Sequence, residues 1–372
     1  MDALAWTAAH AGALIRLAPA ETAHRMTIRA LAAGLGPRIA PPDSPRLAST
    51  VWDIDFASPI GLAAGFDKNA EAVAGLLGLG PGFIEIGAVT PRPQQGNPKP
   101  RVFRLKEDRA IINRLGFNNE GARAAQDRLR AWRRGAQEAR DGAPPQDVAP
   151  RGIVGANIGA NKNSVDRMAD YETVLRELWG LADFFTVNVS SPNTEKLRDL
   201  QGAAALRALL SRVVAARDGL AGESGVSAPV LVKIAPDLTE AELDAAVDAA
   251  LEAEVDGLIA TNTTTARPAT LTAREARQAG GLSGAPLFEA STAALRRAAK
   301  RVDGRAPIIG VGGVFTGRDA YAKIRAGASL VQLYTGLVYR GPTVFRVIAE
   351  ELAALLARDG FGSVAEAIGA DL

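Results

Sequence analysis

The chain has 372 residues, of which 47% are hydrophobic and 23% are charged, a balance that excludes a disordered protein. Its longest stretch without a charged residue spans 14 residues (326–339), fewer than the roughly 20 apolar residues that a membrane-spanning helix needs. The first residues lack the charged region, apolar core and cleavage site of a secretory signal, so none is expected. The formal net charge is only +2, and no concentrated basic stripe predicts nucleic-acid binding.

The absence of cysteine and the scarcity of histidine limit the available chemistry. No disulfide, iron–sulfur cluster or thiolate nucleophile can form, and zinc has only His10 and His24 as nitrogen ligands. We therefore expect no metal site. Any general base has to be a serine, threonine, tyrosine, lysine or carboxylate. A chain without cysteine also suits the cytoplasm.

Residues 1–40 have the pattern of two short helices. In the second helix, Ile28, Leu31 and Leu35 follow helical spacing, and Pro19 with Thr22 marks the start. The segment also carries an excess of basic residues: Arg16, Arg25, Arg29 and Arg38. The proline-rich run at 41–45 predicts a linker before a second domain at 45–372.

Short apolar runs alternate with Ala- and Leu-rich helical stretches from residue 50 onward. The runs are apolar almost throughout, as expected for parallel strands buried on both faces. Eight such units favour an α/β fold that closes into a (β/α)₈ TIM barrel with an N-terminal helical extension. The predicted strands are 59–64, 83–87, 153–158, 184–189, 229–235, 256–261, 307–312 and 330–334.

The longest interval separates the second and third predicted strands. Within it, 101–105 and 110–113 predict a hairpin excursion, whereas the polar stretch 135–150 predicts an exposed loop without chemistry.

Polar residues collect where the predicted strands end, which is where barrel enzymes place their active sites. Asn157, Asn188, Asn193 and Asn262 lie at or just after the ends of three of these strands, and Asn113 ends the excursion. Asparagine is common at turns, but turn formation alone does not explain asparagine at so many strand ends.

Glycine-rich turns follow the last two strands, where barrels commonly bind phosphate. Glycine lets backbone N–H groups approach an anion at Gly312–Gly313 and Tyr334–Thr335, and a helix that follows Thr316 could direct its positive end there. Dinucleotide-binding and P-loop motifs are absent, so the phosphate belongs to FMN or to a phosphorylated substrate. Lys68 and Lys233 could each form a Schiff base, bind a phosphate or place a cation beside a flavin; the alternative is that they are surface lysines at the barrel rim.

A series of motifs in this order resembles the class 2, quinone-dependent dihydroorotate dehydrogenases and covers about residues 45–355. The motifs are AAGFDKNA (63–70), GAVTPRPQQGNPKPRVFRL (87–105), NRLGFNNEG (113–121), NVSSPNT (188–194), LVKIAPDL (231–238), ATNTT (260–264), GGLSGAPL (280–287), IGVGG (309–313) and QLYTG (332–336).

The resemblance implies that dihydroorotate is oxidised to orotate in pyrimidine biosynthesis. One non-covalent FMN would accept the hydride and a membrane quinone the electrons. FMN would contact Ala64, Gly65, Phe66, Asp67, Lys68, Ala88, Asn157, Asn188, Lys233, Thr261, Gly284, Gly313, Tyr334 and Thr335. The pyrimidine would contact Lys68, Asn113, Arg114, Leu115, Gly116, Phe117, Asn188, Asn193, Asn262 and Thr263.

The resemblance further implies that Ser191 is the catalytic base, although Ser190 is adjacent. Related class 1 enzymes use cysteine at this position, which this chain lacks. Residues 1–40 would form a segment that lies on the cytoplasmic side of the inner membrane and gives quinone access, with His24 and Arg104 facing the quinone. A helical cap on the barrel bottom is the simpler alternative for this segment.

Asparagine suits the proposed substrate because its amide presents a donor and an acceptor together to the heterocycle's N–H and C=O groups. Two other interpretations remain: a Schiff-base aldolase that uses Lys68 or Lys233, and a phosphate-binding barrel without catalysis. A tRNA-reducing flavin barrel is disfavoured because it needs a cysteine and a basic face.

Overall fold

A computed structural model describes residues 18–141, 152–194 and 197–372. The strands in these residues are β1 (Ser49–Val51), β2 (Ile54–Phe56), β3 (Ile60–Leu62), β4 (Phe83–Val89), β5 (Val102–Leu105), β6 (Ala110–Asn113), β7 (Val154–Ile158), β8 (Phe184–Asn188), β9 (Val230–Ile234), β10 (Gly257–Ala260), β11 (Gly281–Gly284), β12 (Ile308–Val311) and β13 (Leu330–Leu333). Eight of them are parallel and form a closed barrel in the order β3–β4–β7–β8–β9–β10–β12–β13, which confirms the predicted fold class.

Helices cover the outside of the barrel and bury its apolar outer face. They are α1 (Ala20–Ala32), α2 (Val73–Leu77), α3 (Ala122–Asp141), α4 (Arg167–Leu178), α5 (Ala203–Ser224), α6 (Glu240–Glu252), α7 (Phe288–Val302), α8 (Gly317–Arg325), α9 (Thr335–Arg340) and α10 (Val344–Arg358). Within the described ranges, no helix is long and apolar enough to cross a membrane.

The hairpin of β1 and β2, which the sequence did not predict, closes the bottom of the barrel. Phe56 packs edge to face on Phe83 with ring centroids 5.4 Å apart, and Trp52 packs on Phe184. The indole Nε1 of Trp52 donates a hydrogen bond to the Asp256 carbonyl at 2.7 Å. These partners lie at or just before the starts of barrel strands, so the opposite, carboxyl ends remain open for a site.

The predicted hairpin excursion is confirmed, because β5 and β6 pair antiparallel. A third strand, β11, joins β6 antiparallel and places Gly281 opposite Asn113. The predicted loop at 135–150 is wrong for its first part, because α3 continues to Asp141. Residues 135–141 are rich in helix formers, and Gln137 donates to Asp141 one turn later at 2.7 Å. Residues 142–150 lie outside the described residues.

The second predicted N-terminal helix is present as α1 and begins directly after Pro19. The prediction that Leu35 belongs to its apolar face is wrong: α1 ends at Ala32, and Leu35 is 78% exposed. The first predicted helix, with His10 and Arg16, lies outside the described residues.

Helix α1 packs beside the open end of the barrel, against β5 and α2, and not on the bottom. The Glu21 carboxylate forms an ion pair with the buried Arg101 guanidinium at 2.6 Å. A Cβ atom added at Gly75 would lie 2.4 Å from the Leu31 carbonyl oxygen, so glycine allows the close approach of α1 and α2.

Candidate active site

A cavity of about 1160 Å³, its open mouth included, lies at the carboxyl ends of the barrel strands. It brings together most of the residues predicted for flavin and substrate. These are Ala64, Gly65, Lys68, Ala88, Asn113, Leu115, Gly116, Phe117, Asn157, Asn188, Ser191, Asn193, Lys233, Thr261, Asn262, Thr263, Gly284, Gly313, Tyr334 and Thr335. The wall also includes Val102, Ile111, Pro192, Ser283, Leu287 and Phe315, which the sequence analysis missed.

A chain of hydrogen bonds fixes the asparagine amides of this cavity. Asn157 Nδ2 donates to Glu85 Oε1 at 2.7 Å, and Asn188 Nδ2 donates to Asn157 Oδ1 at 2.8 Å. Asn262 Nδ2 then donates to Asn188 Oδ1 at 3.3 Å. Because the Glu85 carboxylate oxygen accepts from the Asn157 amide nitrogen, it determines which end each amide presents to its neighbour.

Glu85 is therefore a functional residue that the sequence analysis missed. Its side chain is buried in β4, and its second oxygen accepts a hydrogen bond from Gln332 Nε2 at 2.8 Å. The signal that could have revealed it is a lone carboxylate in the apolar run FIEIG, since an acid is rarely buried without partners.

A second amide pair lies at the mouth of the cavity. Asn193 Nδ2 donates to Asn113 Oδ1 at 3.1 Å. Among the described residues, neither Asn113 Nδ2 nor Asn193 Oδ1 has a hydrogen-bond partner. The pair therefore offers one donor and one acceptor to a ligand.

The two adjacent serines have different surroundings. Ser190 is fully buried: its Oγ accepts from Asn262 Nδ2 at 3.0 Å and donates to Asn188 Oδ1 at 3.4 Å. Ser191 lines the cavity, where its Oγ accepts from the Asn193 backbone N–H at 3.3 Å. Only the Ser191 hydroxyl is thus placed to meet a ligand, and Ser190 supports the amide network.

Two lysines line the cavity, and burial lowers the pKa of both. The pKa of Lys68 falls to about 8, although the Glu21 carboxylate opposes the shift. The pKa of Lys233 is also lowered by burial, against the attraction of the Glu85 carboxylate. Desolvated ammonium groups of this kind interact strongly with an anion or with a developing negative charge.

The glycine turns at Gly284 and Gly312–Gly313 adopt backbone conformations that disfavour other residues. Their φ angles are +101°, +118° and +75°, and a Cβ atom at Gly313 would lie 2.5 Å from the Phe288 Cα. A bulky residue at Gly313 would therefore displace the start of α7 as well as any bound anion.

The prediction that the helix after Thr316 directs its N-terminus at the phosphate is not supported. The Asp319 side chain accepts from the backbone N–H groups of Phe315 and Thr316, and the Glu351 side chain accepts from Gly317. Two carboxylates therefore already occupy the start of α8. The helix that begins at the cavity wall is α9, whose first residue, Thr335, lines the cavity.

Three predicted residues do not line this cavity. Phe66 faces a second cavity, and Asp67 uses its carboxylate to accept backbone N–H groups of Asn69, Glu71 and Ala72. Arg114 donates to the Pro100 carbonyl and to Gln278, away from the cavity. All three are neighbours in sequence of residues that do line it.

The second cavity, of about 1550 Å³ including its mouth, lies under helix α1. Its wall is mostly apolar and includes the predicted quinone-site residues His24 and Arg104. His24 Nε2 lies 2.6 Å from the Phe66 carbonyl oxygen, and burial lowers the pKa of His24 to about 3. The imidazole is therefore neutral near pH 7 and donates this hydrogen bond.

Comparisons with known proteins agree with this geometry. The family model described as dihydroorotate dehydrogenase matches residues 46–356. The chain belongs to the dihydroorotate dehydrogenase family. It is 51% identical to "Dihydroorotate dehydrogenase (quinone)" from Parvibaculum lavamentivorans, a match that covers 96% of this chain and 97% of the relative. A relative of the same name from Cereibacter sphaeroides is 54% identical, over 96% and 95% of the two chains.

Solved structures extend the similarity to the fold. A DHODH from Eimeria tenella in complex with ferulenol superposes with a TM-score of 0.89 at 40% identity, covering 94% of this chain and 95% of that chain. These matches confirm the resemblance drawn from the motifs, and the family is in general one of flavin-dependent oxidoreductases. No cluster of three or more potential metal ligands occurs within the described residues.

Proposed function

We propose that this chain is a quinone-dependent dihydroorotate dehydrogenase of pyrimidine biosynthesis. It would oxidise dihydroorotate to orotate with FMN as hydride acceptor and a membrane quinone as final electron acceptor. The observation that carries the proposal is a wall shared by the two cavities, made of Lys68, Val102, Ile111, Leu115 and Tyr334. One cavity presents asparagine amides and lysines, the other has a mostly apolar wall, and two such neighbouring cavities suit two half-reactions with different partners.

The first cavity fits a flavin mononucleotide. Gly284, Gly312–Gly313 and Thr335 form a turn-rich end where backbone N–H groups can approach a phosphate. At the other end, Ala64, Gly65, Ala88, Asn157, Lys233 and Thr261 would surround the isoalloxazine ring. Bound FMN would supply hydride acceptance and electron transfer to the quinone, and the Lys233 ammonium would favour negative charge nearby.

The substrate would lie over the asparagine amides. Asn113 and Asn193 offer a donor and an acceptor, and Asn188 and Asn262 are held in place by the network that starts at Glu85. The Lys68 ammonium would attract the substrate carboxylate. Ser191 would take the proton from C5 while the hydride leaves C6.

The N-terminal helix would meet the membrane surface. Helix α1 has 13 residues, about 20 Å at 1.5 Å per residue, which is too short for a hydrocarbon core of about 30 Å. It would lie flat on the cytoplasmic side of the inner membrane, with basic residues such as Arg29 near anionic headgroups. The quinone would enter the second cavity beside His24 and Arg104.

The test is anaerobic mixing of the purified protein with dihydroorotate while flavin absorbance is recorded. We expect a yellow protein whose flavin is bleached by dihydroorotate and restored by a soluble quinone analogue. A colourless protein that borohydride links covalently to an aldehyde substrate would contradict the proposal and favour the aldolase interpretation.

A further inference from the structure

Lys323, on α8, is a buried cation that the proposed mechanism does not use. Its side chain has no exposed surface, and within the described residues it forms no ion pair with a carboxylate. Its Nζ donates to Ser291 Oγ at 2.6 Å and to Thr292 Oγ1 at 2.9 Å, and it lies 5.1 Å from the centre of the Phe288 ring. A fully desolvated ammonium that contacts only hydroxyls and a ring is costly unless an anion stabilises it.

The acidic groups nearest to Lys323 are already used elsewhere or act at longer range. Asp319, on the same helix, caps the start of α8 through Phe315 and Thr316. Glu289, on α7, attracts the ammonium without forming an ion pair with it. Burial outweighs both and lowers the pKa of Lys323 to about 7. Within the described residues, the buried Lys323 amine therefore has no carboxylate in contact with it that would stabilise its charged form.

One side chain connects this charge to the glycine turn of the first cavity. Ser291 Oγ accepts the Lys323 hydrogen bond, and its own proton is within hydrogen-bond distance of two carbonyl oxygens, that of Gly312 at 3.1 Å and that of Phe288 at 3.0 Å. A Cβ atom at Gly312 would lie 2.6 Å from Ser291 Oγ, and one at Gly313 would lie 2.4 Å from the Phe288 Cβ. The ammonium is thus connected to the turn through Ser291, and Lys323 itself is not among the residues that line the cavity.

We propose that Lys323 is a positioning residue and counter-charge for the phosphate group of the flavin, acting through Ser291 and the Gly312–Gly313 turn. The charge stabilises a dianion on the cavity side of the turn, and the hydrogen bonds through Ser291 hold the turn in place. Lys323 therefore contributes to selection of FMN over riboflavin, which has the same ring system without the phosphate. This inference rests on the proposed binding of FMN.

The experiment measures the dissociation constants of FMN and riboflavin for the flavin-depleted full-length chain, by quenching of flavin fluorescence. Lys323→Met keeps the length of the side chain and removes its charge, and Lys323→Gln also keeps a hydrogen-bond donor. We expect each to weaken FMN binding by about tenfold or more and to change riboflavin binding by less than about twofold. A loss confined to the phosphorylated ligand is not what general loosening of the fold produces.

Lys300→Met is the matched control, because Lys300 is an exposed lysine on α7, the helix that carries Ser291. It should change neither constant. The preference for FMN is the dissociation constant of riboflavin divided by that of FMN. The inference is overturned if a Lys323 variant with a native circular dichroism spectrum keeps the wild-type preference. It is also overturned if Lys300→Met lowers the preference as much as the Lys323 variants do. If the wild-type chain itself does not prefer FMN to riboflavin, the proposed phosphate site fails instead.

Discussion

Replacement of each of the two adjacent serines by alanine separates catalysis from support of the amide network. Ser191 Oγ lines the cavity and, among the described residues, has one hydrogen-bond partner, the Asn193 backbone N–H at 3.3 Å. Removal of the Ser191 hydroxyl should therefore change the free energy of unfolding little. Loss of a general base typically slows a reaction by about 10²–10⁴-fold, equivalent to roughly 3–5 kcal/mol of transition-state stabilisation. We expect Ser191→Ala to bind dihydroorotate and to reduce its flavin more slowly by that factor.

Ser190→Ala should have the opposite effects: a larger loss of stability and a smaller loss of the flavin reduction rate. It removes a fully buried hydroxyl that joins Asn188 and Asn262, and leaves the Asn262 amide short of one partner. The expected loss is about 1–3 kcal/mol of the free energy of unfolding. The rate of flavin reduction should fall by less than about tenfold, because the base itself is retained.

The assay combines anaerobic stopped-flow flavin reduction with urea unfolding of both variants. A cysteine at position 191 supplies a further control, because a thiolate forms more readily than an alkoxide, so Ser191→Cys should recover part of the rate at high pH. The reasoning is refuted if Ser190→Ala stops flavin reduction while Ser191→Ala leaves it near the wild-type rate.

Two further predictions concern the amide network and the N-terminal segment. Glu85→Gln places its NH₂ group against the amide nitrogen of Asn157 or of Gln332. It should therefore lower the free energy of unfolding by about 1–3 kcal/mol and slow flavin reduction. An unchanged free energy of unfolding together with an unchanged rate of flavin reduction would contradict the directional network. Deletion of residues 1–40 should leave FMN binding and reduction by dihydroorotate intact but abolish turnover with hydrophobic quinones and binding to anionic liposomes. A truncated protein that reduces these quinones as well as the intact chain would show that the quinone takes another route.

The barrel could be predicted because its strands are buried on both faces and therefore appear as separate apolar runs. Each of the eight predicted runs contains or overlaps an observed strand. The three-residue strands β1 and β2 could not be predicted in this way, since their exposed and buried positions alternate too briefly to form a pattern. Strand β11 was missed because it pairs with β6, more than 160 residues earlier, and only tertiary contact makes the glycine-rich segment a strand.

The candidate site was predicted as a set of segments more reliably than as a set of side chains. Asn157, Asn188 and Asn262 lie together because strand ends meet at one end of a barrel. Arg114 and Asp67 are adjacent in sequence to cavity residues, but their side chains bind loop backbone. The direction in which a side chain points depends on the local backbone conformation and on hydrogen-bond partners far away in sequence. A sequence motif contains neither kind of information.

The position of the shared wall indicates which parts of the chain make this barrel a two-substrate site. Val102, Ile111 and Leu115 come from the excursion, whereas Lys68 and Tyr334 follow barrel strands. Helix α1 covers the second cavity from outside the barrel. The βα units thus supply most of the first cavity, the excursion contributes to both cavities, and α1 covers the second. A barrel that lacked these two additions would keep Ser191, Asn188 and Asn262 but would lose Asn113 from the substrate site, and it would have no enclosed site for a hydrophobic electron acceptor.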